Sequence, residues 1–329
     1  MSAGRVRVAT RRACRLLAFV LALAPAAGAR TLRLEALGAE PVLVPGVGDA
    51  ELSGLTWTGG TRYLAVDDGG ARLCSLDVSL DAAESAIAAV SAGPFVALAG
   101  ARDVEGIAWR ASTGTVLVAD EGWEEIREYD PATGERKKSF PAPPAFRGRL
   151  RKDRGYEGIT FAPGGRSVWL ANEGPLGGDG AQPDEKTGAL VRLQRLDAAL
   201  VPDGQWAYRT EPGRGFVGVV DLLVAPTGEL LVLERSLTGA GFAAHVFQID
   251  FAGATETSAL PSLAVHHALR PVRKLPLFER SGGFQNFEGM ALGPELARGG
   301  RLVLLVSDGG GRRPPYLLAL RLVTESVGR

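Results

Sequence analysis

The stretch YEGITFAPGGRSVWLANEGP, residues 156–175, decides how the chain is read. A short apolar run leads into a Pro-Gly-Gly turn, and a second run rich in Val, Trp and Leu follows. Two apolar runs around a glycine turn predict a β-hairpin. A Glu-Gly pair stands near its head and another at its tail.

The same phrase recurs along the chain. LSGLTWTGGTRYLAVDDGG begins at Leu52, VEGIAWRASTGTVLVADEG at Val104, VDLLVAPTGELLVLERS at Val220 and FEGMALGPELARGGRLVLLVSDGG at Phe287. The starts are 52, 52, 64 and 67 residues apart. Paired positions in an antiparallel hairpin keep a constant sum, and half that sum lies in the turn. Ser53 with Asp68, Glu105 with Glu121, Glu157 with Glu173, Asp221 with Glu234 and Glu288 with Asp308 all centre on a turn. The register therefore predicts that each opening residue faces its closing acid, at the same end of every hairpin.

Further strand-like runs follow most hairpins, such as IREYDPATGERKKSF after the second. Four strands per repeat at this spacing predict a propeller blade. The expected fold is all-β, a β-propeller of five blades, with six as the alternative if one blade has lost its acids. The last hairpin is followed only by PYLLALRLV, residues 315–323. TLRLEAL, residues 31–37, supplies the missing outer strand, so N- and C-terminal strands close the ring.

Composition fits one globular domain: 46% of the 329 residues are hydrophobic and 22% are charged. Lys plus Arg equals Asp plus Glu, 37 each, so no bulk charge calls for nucleic acid. Residues 1–29 read as an export signal, with basic RVRVATRRACR, apolar LLAFVLALA and small-residue PAAGA in order. A single propeller domain then covers residues 30–329, exported to the periplasm or beyond, with no stable membrane span after cleavage. Removing five Arg leaves 32 basic against 37 acidic residues, and one cysteine, Cys74, which excludes an intrachain disulfide.

In a propeller the five openings and closings converge on one mouth of the central channel. Asp67 and Asp68 join that ring. The expected metal ligands are Glu105, Asp120, Glu121, Asp221, Glu234, Glu288 and Asp308. Glu157 and Glu173 are the expected catalytic pair, and Arg154 the substrate-binding residue. Crowded carboxylates raise one another's pKa and need a compensating charge. Oxygen ligands without clustered Cys or His favour calcium, with magnesium or manganese as the alternatives. The competing reading has each acid capping a loop or pairing with an arginine such as Arg102, Arg154, Arg214 or Arg235. The glycine after Glu105, Glu157, Glu288 and Ser53 suits a crowded axis.

The order LSGL, EGIA, EGIT…NEGP, LLVLERS and NFEGMAL…VSDGG resembles the phytase-like family, esterase-like propellers related to phytase. The resemblance spans Glu51 to Leu322. It implies phosphoesterase activity, with calcium at an acidic mouth binding substrate phosphate and activating water. The expectation is a calcium-dependent phosphoric-ester hydrolase acting on a small phosphorylated substrate. A metal-dependent lactonase of the gluconolactonase type and a non-enzymatic binding module are the alternatives.

Other chemistries lack their motifs. The histidines are His245, His266 and His267, and no G-x-S-x-G elbow, Walker loop or C-x-x-C is present. The loop GPLGGDGAQPDEKTG, residues 174–188, reads as a lid over the mouth or as a connector. RGRLRKDRG, residues 147–155, carries five basic residues that read either as a steering patch for anions or as a solvated surface.

Overall fold

A computed structural model describes residues 31–152, 154–213 and 216–325. The expected export signal, residues 1–29, and Arg214 lie outside the described residues. No described helix is long and apolar enough to cross a membrane.

In chain order, β1 (Thr31–Leu43) precedes the first blade, built from β2 (Leu52–Gly59), β3 (Arg62–Asp67), β4 (Arg72–Leu80) and β5 (Ile87–Ala92), with the short β6 (Val96–Ala97) on β4. The second blade is β7 (Val104–Arg110), β8 (Thr115–Asp120), β9 (Glu125–Tyr129) and β10 (Arg136–Pro141). The third is β11 (Tyr156–Phe161), β12 (Ser167–Asn172), β13 (Leu190–Asp197) and β14 (Pro202–Arg209). The fourth is β15 (Gly218–Val224), β16 (Leu230–Thr238), β17 (Gly241–Asp250) and β18 (Arg273–Gly283). The fifth is β19 (Asn286–Glu295), β20 (Arg301–Asp308), β21 (Tyr316–Glu325) and, outermost, β1. Thr31 pairs with Glu325 and Leu37 with Ala319, so the two ends of the chain share one blade and close the ring as expected. The fold is a five-bladed β-propeller.

Each pair of adjacent blades encloses apolar side chains. Leu52, Tyr63, Leu76, Leu304 and Leu317, for example, belong to one buried cluster between the first and fifth blades. The alternation of buried and exposed residues along outer strands such as Arg72–Leu80 follows from the two-residue period of a strand.

The inner hairpins depart from the expected register in one consistent way. Pairing slips between Leu52 and Gly54, Val104 and Ile107, Tyr156 and Ile159, Val219 and Asp221, and Phe287 and Gly289. All five innermost strands thus carry a bulge at the same place. Beyond the bulge each ladder pairs with an earlier residue than the constant sum predicts: Leu52 faces Asp67, Val104 faces Asp120, Tyr156 faces Asn172, Val219 faces Glu234, and Asn286, not Glu288, faces Asp308. The expected facing pairs, Glu157 with Glu173 among them, are therefore corrected. A bulge adds a residue to one strand and re-aims its side chain. Here it turns Glu105, Glu157 and Glu288 out of their ladders.

The glycines after the bulge are where neighbouring inner strands touch. A Cβ on Gly54 would overlap the carbonyl oxygen of Glu105, and one on Gly106 that of Glu157. A Cβ on Gly158 would meet the backbone of Asp221 at 2.9 Å, and one on Gly289 the carbonyl oxygen of Ser53 at 3.0 Å. The fourth blade has Asp221 where the others have glycine. Its carboxylate accepts from its neighbour Leu222 N at 2.7 Å and from Met290 N of the fifth blade at 2.6 Å. A side-chain bridge replaces a close backbone approach there, which explains why the fourth copy lacks the Glu-Gly pair.

This packing gives a direct test. Gly106→Ala should lower unfolding stability by about 2–3 kcal/mol, because backbone cannot yield as a flexible side chain does. Gly239→Ala, where a Cβ meets nothing within 4 Å, should stay within about 0.5 kcal/mol of the parent. Equal denaturant midpoints for the two variants would refute the crowded-axis account.

The far end of the channel is apolar. All five inner strands contribute to a cavity of about 260 Å³, with Trp57, Trp109 and Phe161 on its wall. Polar chemistry is concentrated at the opposite end, where the inner strands begin.

Candidate active site

The bulges bring Glu105 and Glu157 together with carboxylates from the loops before and after them. Oxygens of Glu105, Glu121 and Glu157 lie within 4.8 Å of one another, as do those of Asp68, Asp103 and Glu105. Glu105 belongs to both groups. Glu121 follows the end of β8 and accepts from Gly155 N at 2.9 Å, which ties the second blade to the third.

Burial and mutual repulsion act together on these groups. Burial first, then the charges of Asp68 and Glu288, hold the Glu105 carboxyl well above the usual carboxylate range. Burial, followed by Glu105, Glu173 and Glu288, does the same to Glu157. Burial pushes Glu121 up to about 7, with Asp103 and Glu173 adding to the rise. Asp68 is pushed up to about 8 by burial and by Asp308 and Glu51.

The other side of the mouth is neutralised by arginine. Glu173 receives Arg235 Nη2 at 2.6 Å and Arg154 Nη1 at 3.1 Å. Arg235 also reaches Glu288, 3.3 Å away, and Asn286 Nδ2 donates to Glu288 at 2.8 Å. Burial still raises Glu288 to about 7, with Arg235 pulling it down. Asp308 sits at the edge, accepting from Gly310 N at 2.6 Å and Asn286 Nδ2 at 3.3 Å.

Five expected metal ligands, Asp120, Asp221, Glu234, Glu288 and Asp308, fall outside the two carboxylate groups. Asp120, fully buried, accepts from Arg102 N and Asp103 N at 3.3 and 3.4 Å and lies 3.5 Å from Arg127. Glu234, also fully buried, accepts from Tyr208 Oη and Glu211 N, both at 2.8 Å. Asp67 plays the same part in the first blade, accepting from Glu51 N at 2.8 Å and Arg72 Nε at 2.5 Å. These closing acids hold the loop that leads into their own blade, the loop-capping reading of the sequence. Asp221 bridges the fourth and fifth blades as described.

Expectations for the surrounding loops are also corrected. Arg147 donates to Ala142 O, Arg149 to Gly177 O and Ala145 O, and Arg151 to Gly180 O. The basic run is a clamp on loop carbonyls rather than a free patch. Its target, the first half of the 174–188 loop, is pinned at Asp179. That carboxylate is fully buried and accepts from Arg149 at 2.9 Å, Arg192 at 2.6 and 2.8 Å, and Leu263 N at 3.0 Å. Removing one partner of such a buried pair costs several kcal/mol, so this half of the loop is fixed and not a moving lid.

Sequence reasoning missed Asp103 as a member of the cluster and Phe216 on its arginine side. Asp103 stands two residues before Glu105, and Glu51 two before Ser53. Extending the repeat alignment by two residues would have shown the pair.

The donor set fits a hard divalent cation. Three carboxylates in each group present oxygens alone, burial penalises their charge, and the strongest charges acting on Glu105 are other carboxylates. A family described as "Esterase-like activity of phytase" matches residues 49–309. The chain belongs to this phytase-like family. No curated protein matches the sequence. Among solved structures, it is similar to Myxococcus xanthus glutaminyl cyclase, 13% identical over 90% of this chain and 98% of that one, with a TM-score of 0.43. The PQQ-bound aldose sugar dehydrogenase of Streptomyces coelicolor is also 13% identical, over 89% and 99%, at 0.42. Kuenenia stuttgartiensis hydrazine synthase is 13% identical at 0.40, covering 80% of this chain but only 58% of the other.

Proposed function

We propose that the mouth is the active site of a divalent-cation-dependent ester hydrolase, with calcium the expected ion and a small phosphorylated molecule the expected substrate. The observation that carries this reading is Glu105, shared by two groups of three carboxylates. Glu121 and Glu157 would complete one cation site with it, and Asp68 and Asp103 the other. A bound cation would neutralise an ester's negative charge and lower the pKa of a water molecule nearby.

The chain's own residues do the rest. Arg154 and Arg235 present guanidinium donors beside the carboxylates and orient an anionic group. Arg235 is engaged by both Glu173 and Glu288, and Arg154 by Glu173 and the carbonyl of Val217. Glu121 is held by Gly155 N and would serve as a cation ligand, deprotonated once the ion is bound. Glu173, bonded to two arginines, keeps them in place. It acts as a positioning residue in this reading, and Glu157 as a cation ligand.

The test is hydrolysis of 4-nitrophenyl phosphate beside a lactone, with calcium and after chelation. Calcium-dependent release of 4-nitrophenol is expected. Turnover of the lactone alone would favour the lactonase reading, and calcium binding without any turnover would favour a binding module.

A further inference from the structure

The mouth has an aromatic wall next to its arginines. Phe216, in the loop before β15, is 53% exposed. The guanidinium carbons of Arg154 and Arg235 lie 5.6 and 5.8 Å from its ring centroid, within cation–π reach. These are the same guanidiniums that meet on Glu173. The ring is thus held on the anion-binding side of the mouth, with about half its surface open to solvent.

Polar capacity beside this wall is unused. Arg235 and Asn286 are 9% and 7% exposed, and both engage Glu288. Yet, among the described residues, Arg235 Nε and Asn286 Oδ1 are buried without a hydrogen-bond partner. A buried polar atom left unpaired is costly, and a bound polar group would satisfy it. Donor, acceptor and apolar ring therefore sit around one acid.

The charge balance limits what that ligand is. Arg154 and Arg235 are already engaged by Glu173 and Glu288, and Arg147, Arg149 and Arg151 by loop carbonyls. Glu105, Glu157, Glu121, Asp68 and Asp103 face them from the other side. Among the described residues, a divalent ion in each carboxylate group would offset about four negative charges and leave the mouth without a positive excess. A ligand with several phosphates would meet repulsion there.

We propose that the mouth takes an ester with a single anionic group on a flat apolar body, stacked on Phe216, and disfavours polyphosphorylated molecules. This rests on reading the mouth as a divalent-cation site for anionic esters.

The experiment is titration calorimetry on the full chain in calcium, with phenylphosphonate, methylphosphonate and fructose 1,6-bisphosphate. The carbon–phosphorus bond is not an ester, so both phosphonates report binding without turnover. Phenylphosphonate should bind roughly tenfold more tightly than methylphosphonate, and Phe216→Ala should bring that ratio close to one. The bisphosphate should bind more weakly than phenylphosphonate. Because Phe216 is half exposed, its alanine variant should melt at the parent's temperature. Equal affinities for the two phosphonates, a ratio unchanged by Phe216→Ala, or tightest binding by the bisphosphate would overturn the proposal. Phosphonate binding that depends on Phe216, without hydrolysis of any ester, would uphold it and remove only the catalytic reading. Absence of phosphonate binding overturns it, and a calcium-induced rise in melting temperature then shows whether the cation site survives.

Discussion

Glu105→Gln should slow calcium-dependent hydrolysis by a hundredfold or more, a barrier rise of about 2.7 kcal/mol or more. Glu105 is the carboxylate common to both groups, so its loss weakens two cation sites at once. Gln matches Glu in size and keeps hydrogen-bonding capacity, which confines the change to charge. The metal-free fold should gain stability, because burial and the charges of Asp68 and Glu288 already oppose the carboxylate form. Glu157→Gln removes a ligand from one group only and should cost less activity. The decisive measurements are kcat/KM on 4-nitrophenyl phosphate and the calcium-induced rise in melting temperature, taken on both variants. Full activity with an unchanged calcium response in Glu105→Gln would take this residue out of the site.

The propeller was legible because its hairpins repeat. Apolar runs, glycine turns and flanking acids recur at spacings that four strands fill, and the match of residues 31–37 to the final blade followed from counting strands. The site was legible only in part. Constant-sum pairing assumes an unbroken ladder, and a bulge breaks that assumption without leaving a residue type of its own. Glu105, Glu157 and Glu288 were found because their position is shared. Asp120 and Glu234 are also carboxylates, at the close of the hairpin and the same end of it, yet point into loops of their own blades. Asp221 matches the glutamates by alignment but takes the place of a glycine, a distinction that depends on which neighbouring strand it touches. The basic run looked free because its partners are carbonyl oxygens, which every residue has and no sequence displays.

With divalent cations chelated, the melting temperature should fall as pH rises from about 5 to 8, and saturating calcium should abolish or reverse that fall. Glu121 and Glu288 titrate at about 7 in the folded chain and Asp68 at about 8, with Glu105 and Glu157 held above the usual range. Unfolded carboxylates titrate near 4. Between those values the folded chain binds more protons than the unfolded one, so stability is greatest at the acid end and is lost as pH climbs through the folded-state values. A carboxyl that titrates at about 7 when folded and near 4 when unfolded contributes about 3–4 kcal/mol. These neighbours interact, so their effects do not simply add, and the combined loss is on the order of several kcal/mol. For a domain this large, that is a drop on the order of 10 °C. Calcium binds the deprotonated carboxylates, so its affinity rises over the same interval. At a hundredfold excess over Kd it adds about 2.7 kcal/mol per site. The two melting curves should therefore diverge steadily from pH 5 upward, and Glu105→Gln should bring them together. A chelated protein whose melting temperature is level or rising across this range would show that Arg154 and Arg235 compensate the whole mouth, leaving no charge for a cation to answer.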